Sequence, residues 1–177
     1  MLNNTSISYG TITRSLHWLM AAFFLGMFLV AYIMINIPKS DFRMSLYDLH
    51  KATGLLLFAL VALRLMWRLV NVQPALPAST PLWQQRAAHW NIVFLYMLMF
   101  LMPISGFLTS SLGGHEITFY YLFTLAPLAH DEAWSEFFSD AHEIFSILLI
   151  IVFALHVLGS LHHHYIRKDN VMRKMLF

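Results

Sequence analysis

The stretch that decides the fold is residues 140–170, DAHEIFSILLIIVFALHVLGSLHHHYIRKDN. From Ile144 to Ile166 it contains no Asp, Glu, Lys or Arg. A helix that rises about 1.5 Å per residue over that length is long enough to cross the roughly 30 Å hydrocarbon core of a bilayer. The pattern therefore predicts a transmembrane helix.

Two of the histidines in this stretch, His142 and His156, are fourteen residues apart. Fourteen residues at ~100° each make nearly four turns, so the two imidazoles share one helix face and are ~21 Å apart along the axis. An ionisable side chain is costly inside a membrane and normally faces a partner in the interior of the bundle. Two histidines on one face at two depths therefore favour a stacked pair of metal centres.

The composition places the whole chain in the membrane class. Hydrophobic residues make up 59% of its 177 residues, well above the share in soluble proteins, and the length suits a single domain over residues 1–177. The absence of cysteine excludes disulfides, iron–sulfur clusters, thiolate haem ligation and covalent haem attachment. Any metal must use the ten histidines. The basic residues flank the apolar runs, so nucleic-acid binding is not expected.

Four apolar runs predict an all-α, integral membrane, up-down four-helix bundle with spans at about 12–37, 43–69, 84–112 and 140–166. The proline-rich residues 71–81 form a linker, and the aromatic loop 115–139 is expected to lie on the membrane surface. Asp140 and Glu143 resemble a capping box at the start of the fourth helix. Residues 1–10 are polar, and we expect them to be disordered or surface-bound.

Basic residues near the span ends predict the orientation. Eight of them lie at one end and three at the other, which puts both termini in the cytoplasm. The inner set is Arg14, Arg64, Arg68, Arg86, Arg167, Lys168, Arg173 and Lys174, and the outer set is Lys39, Arg43 and Lys51.

Histidines that ligate one haem must lie at one depth. At the outer depth only His50 and His142 lie within spans, whereas at the inner depth there are three candidates, His17, His89 and His156. One of the three is surplus, and spacing does not choose between His17 and His89.

Two arginines lie at the inner depth on roughly the same helix face as His50. They are Arg64 and Arg68, fourteen and eighteen residues further along the chain. Either these guanidinium groups pair with haem propionates, which are carboxylates, or Arg64 extends to the lipid headgroups. His163 lies two turns beyond His156 on nearly the same face.

Short motifs at these residues resemble the bacterial cytochrome b-561 family of small di-haem membrane cytochromes, including its superoxide oxidase-like branch. They are Leu16-His17-Trp18, Leu49-His50-Lys51, Pro103-Ile104-Ser105-Gly106, Ala141-His142-Glu143, Leu155-His156, and the ending His163-His164-Tyr165 with Lys168-Asp169-Asn170 and Arg173. The resemblance implies two b-type haems and a location in the inner membrane of a bacterium. It assigns His17 and His156 to the inner haem, assigns His50 and His142 to the outer haem, and leaves His89 unligated.

The resemblance also implies an oxidoreductase that passes electrons from an outer donor such as superoxide to ubiquinone, which would bind near His163. Lys39, Arg43 and Lys51 are candidates to attract an anion at the outer side, although three basic against eight acidic side chains give that side a formal balance of −5. One alternative is a haem-bearing anchor subunit that relays electrons from a separate dehydrogenase or hydrogenase to quinone. Another is a proton-relay transporter, which would be colourless.

Overall fold

Four long helices dominate the computed structural model, which describes residues 1–176. They are α1 (Thr11–Asn36), α2 (Asp41–Val70), α3 (Leu82–Leu112) and α4 (Glu132–Leu161). Each is long and apolar enough to cross a membrane. Helix α4 continues as a π-helical turn, His162–Arg167, and a 3₁₀ turn follows at Arg173–Met175. The predicted all-α membrane four-helix bundle is confirmed.

The fourth helix starts earlier than predicted. It begins at Glu132, and the Asp131 carboxylate caps it by accepting a hydrogen bond from the Trp134 backbone N–H at 3.1 Å. Asp140 lies inside the helix, so the predicted capping box there is wrong. Trp134, one of the aromatic residues that indicated a loop, instead lies in the first turn of α4, where its ring stacks on that of Phe138 with centroids 5.9 Å apart.

The packing of the helices leaves a gap on one side of the bundle. Helix α3 packs most extensively against α4. Helix α2 packs against α1 on one side and against α3 on the other. Over the described residues, α4 makes no comparably close backbone contact with α1 or α2. A core cluster in the middle of the bundle joins the helices, and its buried members are Met20, Val61, Leu98, Met99 and Leu149.

A short antiparallel hairpin covers one end of the bundle, which we call the outer end. Its strands are β1 (Ile117–Phe119) and β2 (Phe123–Leu125). Ile117 is buried between the hairpin and the helices, and the Tyr120 hydroxyl lies 2.8 Å from Oγ1 of Thr53 on α2. The part of the chain predicted as an aromatic surface loop therefore contains a hairpin fixed to α2.

The two chain ends meet at the opposite, inner end. Residues 1–10, predicted to be disordered or surface-bound, make defined contacts, since Nδ2 of Asn4 donates to the Val72 carbonyl and its Oδ1 accepts from Thr13 Oγ1. Trp18 Nε1 donates to the Met175 carbonyl at 2.9 Å. The C-terminal segment is thus held against α1.

Candidate metal centres between the helices

The structure brings two pairs of histidines together, each across the gap beside α4. The His50 ring on α2 faces His142, and the His17 ring on α1 faces His156, with ring centroids 6.2 Å apart in both pairs. A metal ion bound to one nitrogen of each ring at about 2 Å would separate two facing imidazole centroids by roughly 6 Å. The spacing of both pairs therefore fits bis-histidine metal ligation.

Helix α3 fixes the ring of His142. Its Nδ1 lies 3.0 Å from the Met102 carbonyl oxygen and 3.1 Å from Ser105 Oγ. Because a carbonyl only accepts, Nδ1 carries the proton and donates it, which leaves the Nε2 lone pair free for a metal. Gly106 makes room for this ring, since a Cβ there would lie 2.9 Å from His142 Cε1.

An apolar cavity of ≈ 760 Å³, partly open to the outside, adjoins the outer pair. Both His50 and His142 line it, together with side chains of all four helices and Ile117 of the hairpin. Gly54 also lines it, and a Cβ there would meet no atom within 4 Å. The cavity therefore places the two imidazole rings against an almost entirely apolar surface.

The His50 ring is held by few polar contacts of its own. Its Nδ1 is buried and has no hydrogen-bond partner in residues 1–176. A buried imidazole nitrogen without a partner is uncommon in a folded protein. Hydrogen bonding within residues 1–176 therefore does not account for a histidine at this position.

At the inner end the geometry separates the two candidates that spacing left open. His17, and not His89, faces His156. His89 is exposed on α3, where its ring contacts that of the neighbouring Trp90. Helix α1 borders the gap beside α4, and His17 therefore lies opposite His156.

Arg64 lies beside the inner pair, and Arg68 lies about one turn further along α2. Nη2 of Arg64 is 2.8 Å from His17 Nδ1, and the guanidinium carbon is 5.9 Å from the centre of the Tyr96 ring. Arg68 donates to the side-chain oxygen of Gln73 at 2.9 Å. Both guanidinium groups line a smaller cavity, of ≈ 310 Å³, and neither pairs with a carboxylate in residues 1–176. Guanidinium groups donate to carboxylates, so the chemistry of these two side chains suits an anionic ligand.

His163 is buried and paired with an acid that the sequence patterns did not single out. Its Nδ1 lies 2.6 Å from Oδ2 of Asp169, to which Arg167 Nε also donates at 3.4 Å. Burial by itself would raise the pKa of the Asp169 carboxyl, but the hydrogen bonds from His163 and the Val171 backbone N–H outweigh it and hold that pKa below its ordinary value.

Of the three outer basic residues, only Lys51 lines the outer cavity. Its Nζ lies 3.0 Å from Asp48 Oδ1. Arg43 donates to the Ile37 carbonyl and to the Tyr47 hydroxyl. Lys39 is exposed. The outer cations are thus spread out, and Lys51 alone is placed to act on a ligand of that cavity.

A membrane-spanning helical bundle with histidine pairs facing across its interior belongs to the class of membrane proteins that hold metal cofactors between helices. A family model for prokaryotic cytochrome b561 matches residues 8–177. The chain belongs to the prokaryotic cytochrome b561 family. It is accordingly a bacterial membrane protein of electron transfer, and its family implies b-type haem.

Relatives of known name match along nearly the whole chain. Cytochrome b561 homolog 2 of Escherichia coli (strain K12) is 32% identical over 176 residues, which cover 98% of this chain and 93% of the relative. Cytochrome b561 homolog 1 of the same organism is 24% identical, with 91% and 92% covered. A probable superoxide oxidase CybB of Yersinia pestis is 25% identical, with 95% of both covered.

Proposed function

We propose that the chain carries two b-type haems, each ligated by two histidines, and passes electrons between an outer donor and membrane quinone. His50 and His142 hold the outer haem, and His17 and His156 hold the inner haem. The observation that carries the proposal is the ring spacing, which is 6.2 Å in both pairs. In each pair the two rings face each other across the part of the bundle where the helices do not pack closely. Haem supplies reversible one-electron chemistry when bound.

The residues around the outer pair support this ligation. Met102 and Ser105 fix the His142 ring in the tautomer whose Nε2 can ligate, and Gly106 lets the ring lie against α3. The apolar side chains around the cavity exclude water and provide the surface that a porphyrin ring requires. Gly54 leaves room on the α2 side.

Arg64 and Arg68 are the proposed partners of the propionates at the inner end. A guanidinium only donates, so the Arg64 contact requires His17 Nδ1 to accept, with the ring proton on Nε2. That tautomer cannot ligate through Nε2. Binding of a metal at Nε2 would therefore free Arg64 for a carboxylate, with which a guanidinium forms bidentate hydrogen bonds.

The proposed donor is superoxide and the proposed acceptor is ubiquinone, so the chain would act as a superoxide:ubiquinone oxidoreductase. The name of the Yersinia pestis relative supports the donor. Lys51 supports it as well, because it lines the outer cavity, follows His50 in the chain and carries a positive charge, which it shares with Asp48. Quinone is placed near His163, a buried histidine at the inner membrane end, two turns from His156.

The test begins with haem per chain from the pyridine haemochrome of the purified protein. We expect two b-type haems per chain. In the reduced spectrum, His50→Ala should alter the signal of the outer haem, and His17→Ala should alter the signal of the inner haem. His89→Ala is the matched control and should keep both haems. A single haem, or a spectrum unaffected by one of the two substitutions, would show that the pairing is wrong.

The donor is tested next on the same preparation. Superoxide generated in solution should reduce the haems, and Lys51→Gln should slow that reduction, whereas the exposed Lys39→Gln should not. Failure of superoxide to reduce the haems, together with stable co-purification of a soluble redox protein, would favour the anchor-subunit alternative. A colourless protein would favour the transporter.

A further inference from the structure

Residues 1–10, which we call the inner wall, fold back over the start of α1. The first backbone N–H groups of a helix have no acceptor within that helix. Here the Thr11 N–H donates to the Met1 carbonyl at 3.0 Å, and the Ile12 N–H donates to the Leu2 carbonyl at 3.4 Å. The inner wall therefore supplies the acceptors that a capping side chain would otherwise provide.

Gly10 allows the chain to cross itself at this point. It is buried, and a Cβ there would overlap the carbonyl groups of Leu2 and Asn3. The Gly10 φ of −75° is open to any residue, so the requirement for glycine comes from this contact and not from the backbone conformation. The close approach holds the inner wall as a closed loop.

The Asn4 side chain ties this loop to its surroundings. Its Oδ1 accepts from the Gly10 backbone N–H at 2.9 Å and from Thr13 Oγ1 at 2.7 Å. Its Nδ2 donates to the Val72 carbonyl at 2.9 Å. Thr13 Oγ1 accepts in turn from Trp67 Nε1 on α2 at 3.0 Å. A single amide thus joins the inner wall to α1, to the linker and, through Thr13, to α2.

The inner wall bounds the smaller cavity at the inner end of the bundle. Asn4 and Tyr9 line that cavity together with Arg64 and Arg68 of α2. Neither arginine pairs with a carboxylate in residues 1–176, and a charge that is withdrawn from water is costly without such a partner. The cavity therefore holds two positive charges behind a wall of neutral side chains.

We propose that the inner wall closes the anion site at Arg64 and Arg68 against the aqueous phase, and that Asn4 is the positioning residue that keeps the wall in place. The inference rests on the proposed function, in which these arginines bind the propionates of the inner haem. It adds that residues outside the membrane spans control how strongly the arginines act on that haem.

The physical reason is the exclusion of water. Charges interact more strongly in a site that water and salt do not enter. Arg64 lies beside His17, and a cation at this position favours the form of the haem that carries the extra electron. Opening the inner wall would admit water and weaken the field of Arg64. The reduction potential of the inner haem should then fall, while that of the outer haem, at the other end of the bundle, should not change.

The experiment uses the purified haem-containing protein and two variants that open the inner wall in different ways. Asn4→Ala removes the hydrogen bonds of the amide, and Gly10→Ala adds a Cβ where the Leu2 carbonyl lies. Asn3→Ala, at an exposed neighbouring asparagine, is the control for the first variant. Gly26→Ala is the control for the second, since a Cβ there meets nothing within 4 Å.

Hydrogen exchange at the Thr11 and Ile12 amides reports whether the inner wall is closed. Both amides donate to carbonyls of the wall, so their exchange should be about tenfold faster in each opening variant than in wild type. The two controls should exchange at the wild-type rate.

Spectroelectrochemical titration then measures the reduction potential of each haem. Each opening variant should change the one-electron equilibrium of the inner haem about threefold, which is a downward shift of roughly 30 mV. Asn4→Ala is also combined with Arg64→Gln. Because the inner wall acts through Arg64, Asn4→Ala should lower the inner potential much less in that background than it does alone.

The outcomes separate the inference from the proposed function. If wild type holds no inner haem, the proposed function fails and this inference fails with it. If wild type holds both haems and the opening variants exchange faster but keep the wild-type inner potential, only the inference is overturned. It is also overturned if Asn4→Ala does not speed exchange, or if it shifts the potential equally with and without Arg64, which is the pattern of a general structural role. If Gly10→Ala does not assemble, the results for Asn4→Ala decide.

Discussion

Gly106 and His142 touch across α3 and α4 so closely that a Cβ on Gly106 would lie 2.9 Å from Cε1 of the imidazole ring and 3.1 Å from its Nδ1. The atoms that would have to move are the ring itself and the hydrogen bonds that hold it, to Met102 and Ser105. The absence of a side chain at Gly106 is therefore a condition for the position of His142.

Gly106→Ala should displace the His142 ring and lower haem content from two per chain to about one, through loss of the outer haem. Helix content should not fall, because alanine favours a helix by up to about 1 kcal/mol over glycine. Gly26→Ala is the control, since a Cβ there meets nothing within 4 Å. The pyridine haemochrome and far-ultraviolet circular dichroism measure both effects, and full haem content in Gly106→Ala would contradict the role assigned to Gly106.

A substitution at Gly54 tests whether the outer cavity holds the haem, without changing the histidines proposed to ligate it. It lines the outer cavity, and a side chain there would extend into unfilled space. Gly54→Leu should therefore leave the apoprotein at least as stable as wild type and lower the content or affinity of the outer haem by competing for the same volume. Titration of haem into the apoprotein measures this affinity. If Gly54→Leu binds the outer haem as tightly as wild type, the cavity is not the haem site.

Much of the fold follows from the sequence because the membrane imposes simple rules. Four apolar runs predicted the four helices, and that prediction is confirmed. The start of α4 was missed because Trp134, Phe137 and Phe138 are typical of both an interfacial loop and an amphipathic helix turn. The helix cap at Asp131 distinguishes a helix from a loop here, but this cap is visible only in the three-dimensional structure.

The histidines show where sequence patterns reach their limit. Depth alone paired His50 with His142, because only two histidines lie in spans at the outer depth. It could not choose between His17 and His89, since the choice depends on which helix faces the gap beside α4. The ligand assignments themselves stay predictions until haem is measured.

Asp169 lies within one of the motifs that carry the family resemblance, but no periodicity links it to His163. Regular helical geometry places the two residues in different directions. They meet because of the π-helical turn and the left-handed Lys168. Such a reversal is a tertiary feature that local spacing does not predict, although a histidine followed six residues later by an acid just past a helix end is a pattern that can be searched for.

Tyr120→Phe should loosen the hairpin over the outer cavity. The Tyr120 hydroxyl bonds to Thr53 Oγ1, which also donates to the Leu49 carbonyl and so remains satisfied without it. The loss should cost about 1 kcal/mol of local stability and speed amide exchange in the hairpin about fivefold. Tyr121→Phe is the matched control, because Tyr121 is 99% exposed and should be silent. Equal exchange in both variants would show that the bond does not hold the hairpin.

Arg64→Gln should lower the reduction potential of the inner haem. A cation close to His17 favours the form with the extra electron, so its removal should shift the midpoint downward by roughly 60 mV, which corresponds to a tenfold change in a one-electron equilibrium. Arg86→Gln, an exposed arginine at the same end of the bundle, is the control. Spectroelectrochemical titration would resolve the two haems, and an unchanged inner potential would place the guanidinium away from that haem.

Acid should release the C-terminal segment. The pKa of Asp169 is lower in the folded chain than in a detached one, so the contact stabilises the folded end fully above the ordinary aspartate value of about 3.9 and is lost as the pH falls through the lower folded value. Because the chain has no cysteine, a nitroxide on Arg173→Cys can report mobility by electron paramagnetic resonance. The label should become mobile only at acid pH in wild type. In Asp169→Asn, which lacks the carboxylate at every pH, it should be mobile at neutral pH as well. A label that stays immobile in Asp169→Asn at neutral pH would show that contacts such as Trp18 to Met175 hold the segment without the carboxylate.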